Sequence, residues 1–124
     1  MEIRDEEVAL YPQTVSATLT PFGIPHTGAD VCGFFENPDK NVTADEQQEI
    51  CGRWYQLSTF YPFARNHHDK DDGRGGFYTE PYALTNATYK AMAIASVQER
   101  YKYLMFMYTC MFSTKDGNTC FDPM

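Results

Sequence analysis

A long helical pattern near the carboxyl end of the chain constrains the fold most. Apolar residues recur there at spacings of three and four, in the order Ile94, Val97, Tyr101, Leu104, Tyr108 and Met111. Further methionine and phenylalanine residues widen this apolar stripe and leave only a narrow polar side. A helix that is apolar on most of its circumference needs cover on several sides, so the pattern predicts a helix buried within a layered fold.

A second helix is predicted over residues 43 to 59. Thr43 and Glu46 match a capping box, in which a hydroxyl and a carboxylate bind backbone N–H groups at the helix start. Apolar positions with helical spacing follow at Ile50, Trp54 and Leu57, and Cys51 and Tyr55 on a neighbouring flank widen the apolar face. Because Pro62 disfavours helix for the residue before it, the helix should end ahead of an extended stretch over residues 60 to 65.

Short segments that favour strands precede both helices. Residues 22 to 30 are rich in glycine and small residues, as in a close-packed buried strand, and residues 60 to 65 are rich in aromatic residues. The order strand, helix, strand, loop, long helix predicts an α/β fold with a parallel sheet. Two such units cannot close a sheet, so the chain is expected to be part of a larger α/β domain.

Charge and hydropathy limit the classes of partner. The chain has 17 acidic and 10 basic residues and a net charge of −7, which repels phosphate backbones, so no nucleic acid partner is expected. The longest apolar run, residues 103 to 112, is about half of the roughly 20 residues that a membrane span needs. Residues 1 to 21 lack the pattern of a secretory signal and are interpreted as a poorly specified leader.

Cysteines and sequons bear on the cellular compartment. Cys32, Cys51, Cys110 and Cys120 are too widely spaced for a CxxC metal site, and either two disulfides or four buried thiols fit them. Two triplets, beginning at Asn41 and Asn86, match the N-glycosylation sequon, which is meaningful only in the secretory pathway.

The loop that follows residue 65 is crowded with polar residues. Its spacing does not match a calcium loop, and the adjacent His67 and His68 would point to opposite sides of an extended chain, so no metal is expected. The carboxylates in and after this loop are Asp69, Asp71, Asp72 and Glu80. A flexible loop lacks the fixed separation that acid/base catalysis requires, so these carboxylates are interpreted as solvated loop charges.

Three stretches of the sequence carry a family resemblance, namely FGIPHTGADVCGFF, CGRWYQLSTFYPFARNHH and QERYKYLMFMYTCMF. They resemble consecutive signatures of glycoside hydrolase family 31, the α-glucosidase and sucrase-isomaltase family, and the resemblance spans roughly residues 22 to 123. It implies the last two β/α units of a (β/α)₈ TIM barrel. In chain order these are a seventh strand over residues 22 to 30, a helix over 43 to 59, an eighth strand over 60 to 65 and a last helix over 88 to 116. Barrel sequence then occupies residues 22 to 117, and residues 118 to 124 begin a truncated β segment.

The resemblance also implies a sugar site. In the family, the positions that match Asp30, Phe34, Arg65 and His67 line the pocket for the non-reducing terminal glucose, and barrel enzymes place such residues at the carboxyl ends of strands. His67 would hydrogen-bond a ring hydroxyl, Asp30 and Arg65 would form a fixed charged pair, and Phe34 would be an apolar wall. From the residues alone, a buried salt bridge, a loop histidine and a core phenylalanine are favoured over sugar binding, and the resemblance reverses that preference.

Other features of the family are also implied. Cys32 and Cys51 would form a disulfide, whereas nothing beyond their spacing pairs Cys110 with Cys120. The family commonly has asparagine where this chain has His68, which puts the preference for the leaving group in question.

Catalysis by a retaining glycosidase needs two carboxylates. The family carries them in W-x-D-M-N-E and W-x-G-D-N stretches, and neither stretch occurs in this sequence, so no catalytic residue is assigned. The resemblance implies a fragment of an enzyme that hydrolyses terminal α-linked glucose in α-glucosides or oligosaccharides without a cofactor. The intact relative would be secretory, lysosomal or extracellular.

Two interpretations of the chain itself follow. In the first, it is an inactive part of the barrel whose partner is the missing remainder of that barrel. In the alternative, it is a truncated or decayed, non-catalytic gene product that acts at most as an interaction partner.

Overall fold

The structure, a computed structural model, describes residues 22–34, 43–67 and 79–116. These residues contain helix α1, Ala44–Ser58, and helix α2, Ala87–Ser113, which continues into a short 3₁₀ helix, Thr114–Asp116. Both helices were predicted from the sequence, close to these bounds, and both predictions are confirmed. The predictions for residues 1 to 21, for the polar loop from His68 onwards and for residues 118 to 124 lie outside the described residues.

Helix α1 begins with the predicted capping box. The Thr43 N–H donates to Oε2 of Glu46 at 2.7 Å, and the Glu46 N–H donates to Oγ1 of Thr43 at 3.3 Å. Hydrogen bonds from the Thr43 side chain and backbone lower the pKa of Glu46, since they favour the carboxylate. The buried face of the helix consists of Gln48, Cys51, Gly52, Trp54, Tyr55 and Ser58. Within the predicted apolar face, Cys51, Trp54 and Tyr55 are buried, whereas Ile50 and Leu57 are only half-buried.

A buried amide joins the two helices. Oε1 of Gln48, on α1, accepts from the N–H groups of Thr85 and Asn86 at 2.7 and 2.8 Å. Asn86 is the N-cap of α2, and its own Oδ1 accepts from the Thr88 N–H at 3.0 Å. Since N–H groups at a helix start lack partners within the helix, these bonds secure the beginning of α2 against α1.

The core is small and centres on α1. Its buried members are Val31, Cys51, Trp54, Tyr55, Tyr61, Leu84 and Ala93. Helix α2 buries only Ala93, Ser96 and Met107, so the described residues supply little of the cover that its apolar stripe is predicted to need. Tyr101 and Tyr108, for example, are 70% and 71% exposed. The reason is that α2 packs along one narrow side against α1, where Gly52 lies beside Tyr89 and Met92. Neither helix described is long and apolar enough to cross a membrane.

The two predicted strands differ most from expectation. Among the described residues no strand forms over residues 22 to 30 or 60 to 65, and these segments meet instead at one parallel bridge between Asp30 and Arg65. The Phe63 N–H donates to the Thr27 carbonyl at 3.2 Å, and the Val31 N–H donates to the Arg65 carbonyl at 2.8 Å. The predicted neighbours and their parallel direction are therefore present. An extended ladder is not, because two parallel segments alone make a marginal sheet.

Arg100, on α2, binds the backbone that follows α1. Its Nη1 lies 2.9, 3.1 and 2.6 Å from the carbonyl oxygens of Ser58, Thr59 and Tyr61. Carbonyl groups at a helix end lack intrahelical partners and carry partial negative charge, so a guanidinium there is favourable. Partial burial lowers the pKa of Arg100, although an arginine remains protonated at neutral pH. This contact fixes where the chain leaves α1 and enters the second extended segment.

We expect Arg100→Lys to destabilise the chain by roughly 1.5 to 3 kcal/mol, the range for hydrogen bonds to a charged group, because one ammonium cannot replace the fork of the guanidinium. Urea unfolding followed by the fluorescence of Trp54, the single tryptophan, measures the change. Arg53→Lys is the matched control, since Arg53 forms an exposed i, i+4 pair with Glu49 on α1. Equal effects of the two substitutions would contradict a specific role for Arg100.

Candidate functional site

The site is built where the two extended segments end side by side. Nε of Arg65 donates to Oδ1 of Asp30 at 2.6 Å, next to the parallel bridge between the same residues. The Asp30 side chain is 17% exposed and that of Arg65 is 50% exposed, so the pair lies at the surface with the carboxylate on the inner side. The Phe63 ring lies 5.6 Å from Cζ of Arg65 and flanks the guanidinium.

A glycine permits the close approach of the two segments. A Cβ atom at Gly28 would overlap the carbonyl oxygen of Phe63 and lie 2.8 Å from its carbonyl carbon. No side chain can occupy that space, because the obstruction is backbone. The pairing that brings Asp30 to Arg65 therefore depends on glycine at position 28.

A tight turn follows Asp30 and leads to Phe34. The Gly33 N–H donates to the Asp30 carbonyl at 3.1 Å, and Cys32, at the third position of the turn, has a φ of 71°. Positive φ is costly for a residue with a side chain, by about 1 kcal/mol or more. Cys32 is tied to α1 by a disulfide to Cys51, with Cα atoms 4.6 Å apart, so the predicted disulfide is present. After this turn the Phe34 ring stacks on the ring of His67, with centroids 5.1 Å apart and planes at 26°.

The four residues predicted to bind sugar are thus brought together as two pairs. Asp30 and Phe34 lie at the end of one segment and in the turn after it, and Arg65 and His67 lie at the end of the other. The Asp30–Arg65 contact and the Phe34–His67 contact therefore each join the two segments. The charged pair presents a carboxylate and a guanidinium, the exposed His67 ring can donate or accept, and Phe34 adds an aromatic surface. Polar groups and an aromatic ring at the ends of two paired segments are the kinds of group that ligand sites use.

Asn66, between Arg65 and His67, has a role that sequence reasoning missed. Its carboxamide binds Thr79, the Tyr55 hydroxyl and the Val31 carbonyl, on the side of the chain opposite its two neighbours. Burial raises the pKa of Tyr55 to about 12, so its hydroxyl remains a donor, and it donates to the Thr79 carbonyl at 3.1 Å. The alternation of side chains along an extended Arg65-Asn66-His67 segment could have indicated this role, because it turns Asn66 away from the side that its neighbours occupy.

The remaining predicted sites fall at different places. The Asn86 side chain caps α2, and its Nδ2 donates to Oδ1 of Asp45 at 2.7 Å. Glu80 is half-buried. Asn41, Cys120 and the loop residues His68, Asp69, Asp71 and Asp72 lie outside the described residues. Within residues 22–34, 43–67 and 79–116, no three His, Cys, Asp or Glu side chains are grouped so that they could hold a metal ion.

Comparison with known proteins defines the class to which this chain belongs. The family model of the glycosyl hydrolases family 31 TIM-barrel domain matches residues 9–110. The chain therefore belongs to glycosyl hydrolase family 31.

Its relatives are much longer proteins. It is 38% identical over 104 residues to probable maltase-glucoamylase 2 of Homo sapiens, and the matched region covers 83% of this chain and 4% of that protein. It is 40% identical over 103 residues to lysosomal acid alpha-glucosidase of Tetrahymena pyriformis, with 82% of this chain and 10% of that protein covered. Intestinal sucrase-isomaltase of Suncus murinus is 38% identical over 104 residues, which are 83% of this chain and 5% of that protein. The chain spans about a tenth or less of these relatives, and no solved structure matches it.

We expect Gly28→Ala to destabilise the chain by about 1 to 3 kcal/mol, because the methyl group can be accommodated only by moving the Phe63 backbone away. The same fluorescence-detected unfolding measures the change. Gly52→Ala is the matched control, since its Cβ would meet Tyr89 at 3.4 Å in ordinary contact and alanine favours the helix. A Gly28→Ala chain as stable as the parent would contradict the close approach of the Phe63 backbone to Gly28.

Proposed function

We propose that this chain is the carboxyl-terminal part of the catalytic barrel of an α-glucosidase-like glycoside hydrolase and supplies residues that bind a terminal α-linked glucose. The observation that carries the proposal is the contact of Asp30 with Arg65 and of Phe34 with His67, at the ends of two parallel segments, in a chain of this family. Relatives named alpha-glucosidase, sucrase-isomaltase and maltase-glucoamylase support the choice of sugar.

Each residue has a role that its chemistry suits. Arg65 carries five N–H groups, of which the one on Nε binds Asp30, so other N–H groups can donate to sugar hydroxyls. The ion pair holds the guanidinium in one orientation, which lowers the entropy cost of binding. His67 is exposed and can exchange hydrogen bonds with a ring hydroxyl, while Phe34 limits the pocket on the apolar side.

The partial barrel is supported by the order of elements and the direction of pairing. Each extended segment leads to a helix, and the two segments run parallel, as neighbouring strands of a barrel do. A sheet of full length would require the adjoining strands of the barrel. The exposed aromatic residues of α2, among them Tyr101, Phe106 and Tyr108, support the remainder of that barrel as the partner of this chain.

Binding and bond cleavage are divided in this proposal. Hydrolysis with retention needs a nucleophilic carboxylate and a second carboxyl group that protonates the leaving oxygen. The stretches in which the family carries these two groups do not occur in the sequence. The chain would hold the glucose, and groups in the rest of the enzyme would perform the reaction.

Maltose binding is the first test. We expect maltose to shift NMR signals of residues 30 to 34 and 63 to 67, and His67→Ala to weaken binding about tenfold, as for the loss of one good hydrogen bond. His26→Ala is the matched control, because His26 is also an exposed histidine. Its ring lies 5.5 Å from the Phe63 ring, whereas the ring stacked on Phe34 is that of His67. Equal weakening by both substitutions, or shifts scattered over α2, would contradict the assignment. Lactose, with a terminal galactose, tests the preference for glucose.

We expect the isolated chain to release no nitrophenol from 4-nitrophenyl α-glucoside above a buffer blank, since it holds binding groups without the two catalytic carboxylates. Absorbance over several hours at 37 °C provides the measurement. Turnover that is abolished by Asp69→Asn or Glu80→Gln would place the chemistry within this chain and overturn the division proposed above.

A further inference from the structure

The side chain of Asn66 faces away from the proposed sugar site. In extended chain, successive side chains point to opposite sides, and here Arg65 and His67 reach Asp30 and Phe34 while Asn66 reaches inward. Asn66 is half-buried, and its partners come from three separate parts of the chain. It is therefore placed to set the position of both neighbours without contacting a ligand.

The carboxamide is held by Thr79 in one orientation. Nδ2 donates to the Thr79 carbonyl at 3.1 Å, and Oδ1 accepts from the Thr79 hydroxyl at 2.8 Å. A carbonyl oxygen can only accept, so the nitrogen must face it and the amide cannot be reversed. Thr79 itself is buried, and its carbonyl also accepts from the Tyr55 hydroxyl, which fixes the network to α1.

The same carboxamide continues the pairing of the two segments. Val31 donates its N–H to the Arg65 carbonyl at 2.8 Å, and its carbonyl lies 3.4 Å from Nδ2 of Asn66. In a regular parallel ladder this carbonyl would accept from the backbone two residues beyond Arg65. Nδ2 of Asn66 thus lies where the next ladder donor would be, directly beside the residues that form the site, although its nearer partners are Tyr55 and Thr79 at 3.0 and 3.1 Å.

We infer that Asn66 is a positioning residue for the proposed sugar site, whose carboxamide holds the Asp30–Arg65 and Phe34–His67 pairs in register against Thr79 and Tyr55. The inference rests on the proposed function for the identity of the ligand, but the geometry it describes exists without sugar. A role in stability alone would predict that Asn66 substitutions lower the free energy of unfolding and leave the geometry of both pairs intact in the molecules that remain folded.

Asn66→Asp is the decisive variant, since it keeps the shape and puts a carboxylate oxygen against the Thr79 carbonyl. Two NMR signals report the pairs directly: the nuclear Overhauser effects between the Phe34 and His67 rings, and the slowed exchange of the Arg65 Nε–H. We expect the ring signals to fall at least fivefold and the Nε–H to exchange at least tenfold faster, while the indole signal of Trp54 stays at its native position. Gln56→Glu is the matched control. It makes the same amide-to-carboxylate change at an exposed position on α1, next to Tyr55 in the sequence.

Several outcomes decide the matter. Unchanged ring and Nε–H signals in a folded Asn66→Asp chain, or equal changes in Gln56→Glu, would overturn the inference. If Asn66→Asp does not fold, Thr79→Val decides, because it removes only the hydroxyl bond to Oδ1 and is expected to change the same two signals in the same direction. If both signals are lost in Asn66→Asp but the parent chain binds no maltose, the positioning role stands and the proposed function fails. If maltose binds and Asn66→Asp leaves both signals and the affinity unchanged, the proposed function stands and the positioning role fails.

Discussion

The parallel contact between residues 30–31 and residues 65–66 is the interaction on which the site depends. The ion pair of Asp30 with Arg65 is half-exposed on the arginine side, and such surface pairs contribute at most about 1 kcal/mol. The ion pair is therefore a result of the contact and not its main cause. Backbone hydrogen bonds, the buried carboxamide of Asn66 and the space left by Gly28 bring the segments together.

Polar groups at helix ends and turns organise the rest of the described structure. Gln48 secures the start of α2, Arg100 binds the carbonyl groups that follow α1, and the Cys32–Cys51 disulfide joins the turn to α1. The buried apolar core is small by comparison, and many large side chains of α2 remain exposed. Such a surface is typical of an element that packs against further structure.

The proposed function separates sugar binding from catalysis, as the architecture of a barrel enzyme allows. Residues at the ends of neighbouring strands form one wall of the pocket, and other strands supply the remaining walls and the reacting groups. In the proposed function, this chain would contribute sugar-binding residues, and the groups that break the glycosidic bond would come from the rest of the enzyme. The pairing of Asp30 with Arg65 and of Phe34 with His67 accords with this division.

The sequence by itself determined the local elements and the family. The capping box at Thr43 and the spacing of apolar residues specify α1 and α2, because helix starts and helical periods depend on near neighbours in the chain. The stretches FGIPHTGADVCGFF and CGRWYQLSTFYPFARNHH likewise identified the four candidate residues. Only the tertiary structure decided which face of α2 is buried, how far the two segments pair, and that Asn66 lies at the centre of a network with Tyr55 and Thr79. These features join residues far apart in sequence, and their geometry depends on packing that no local pattern encodes.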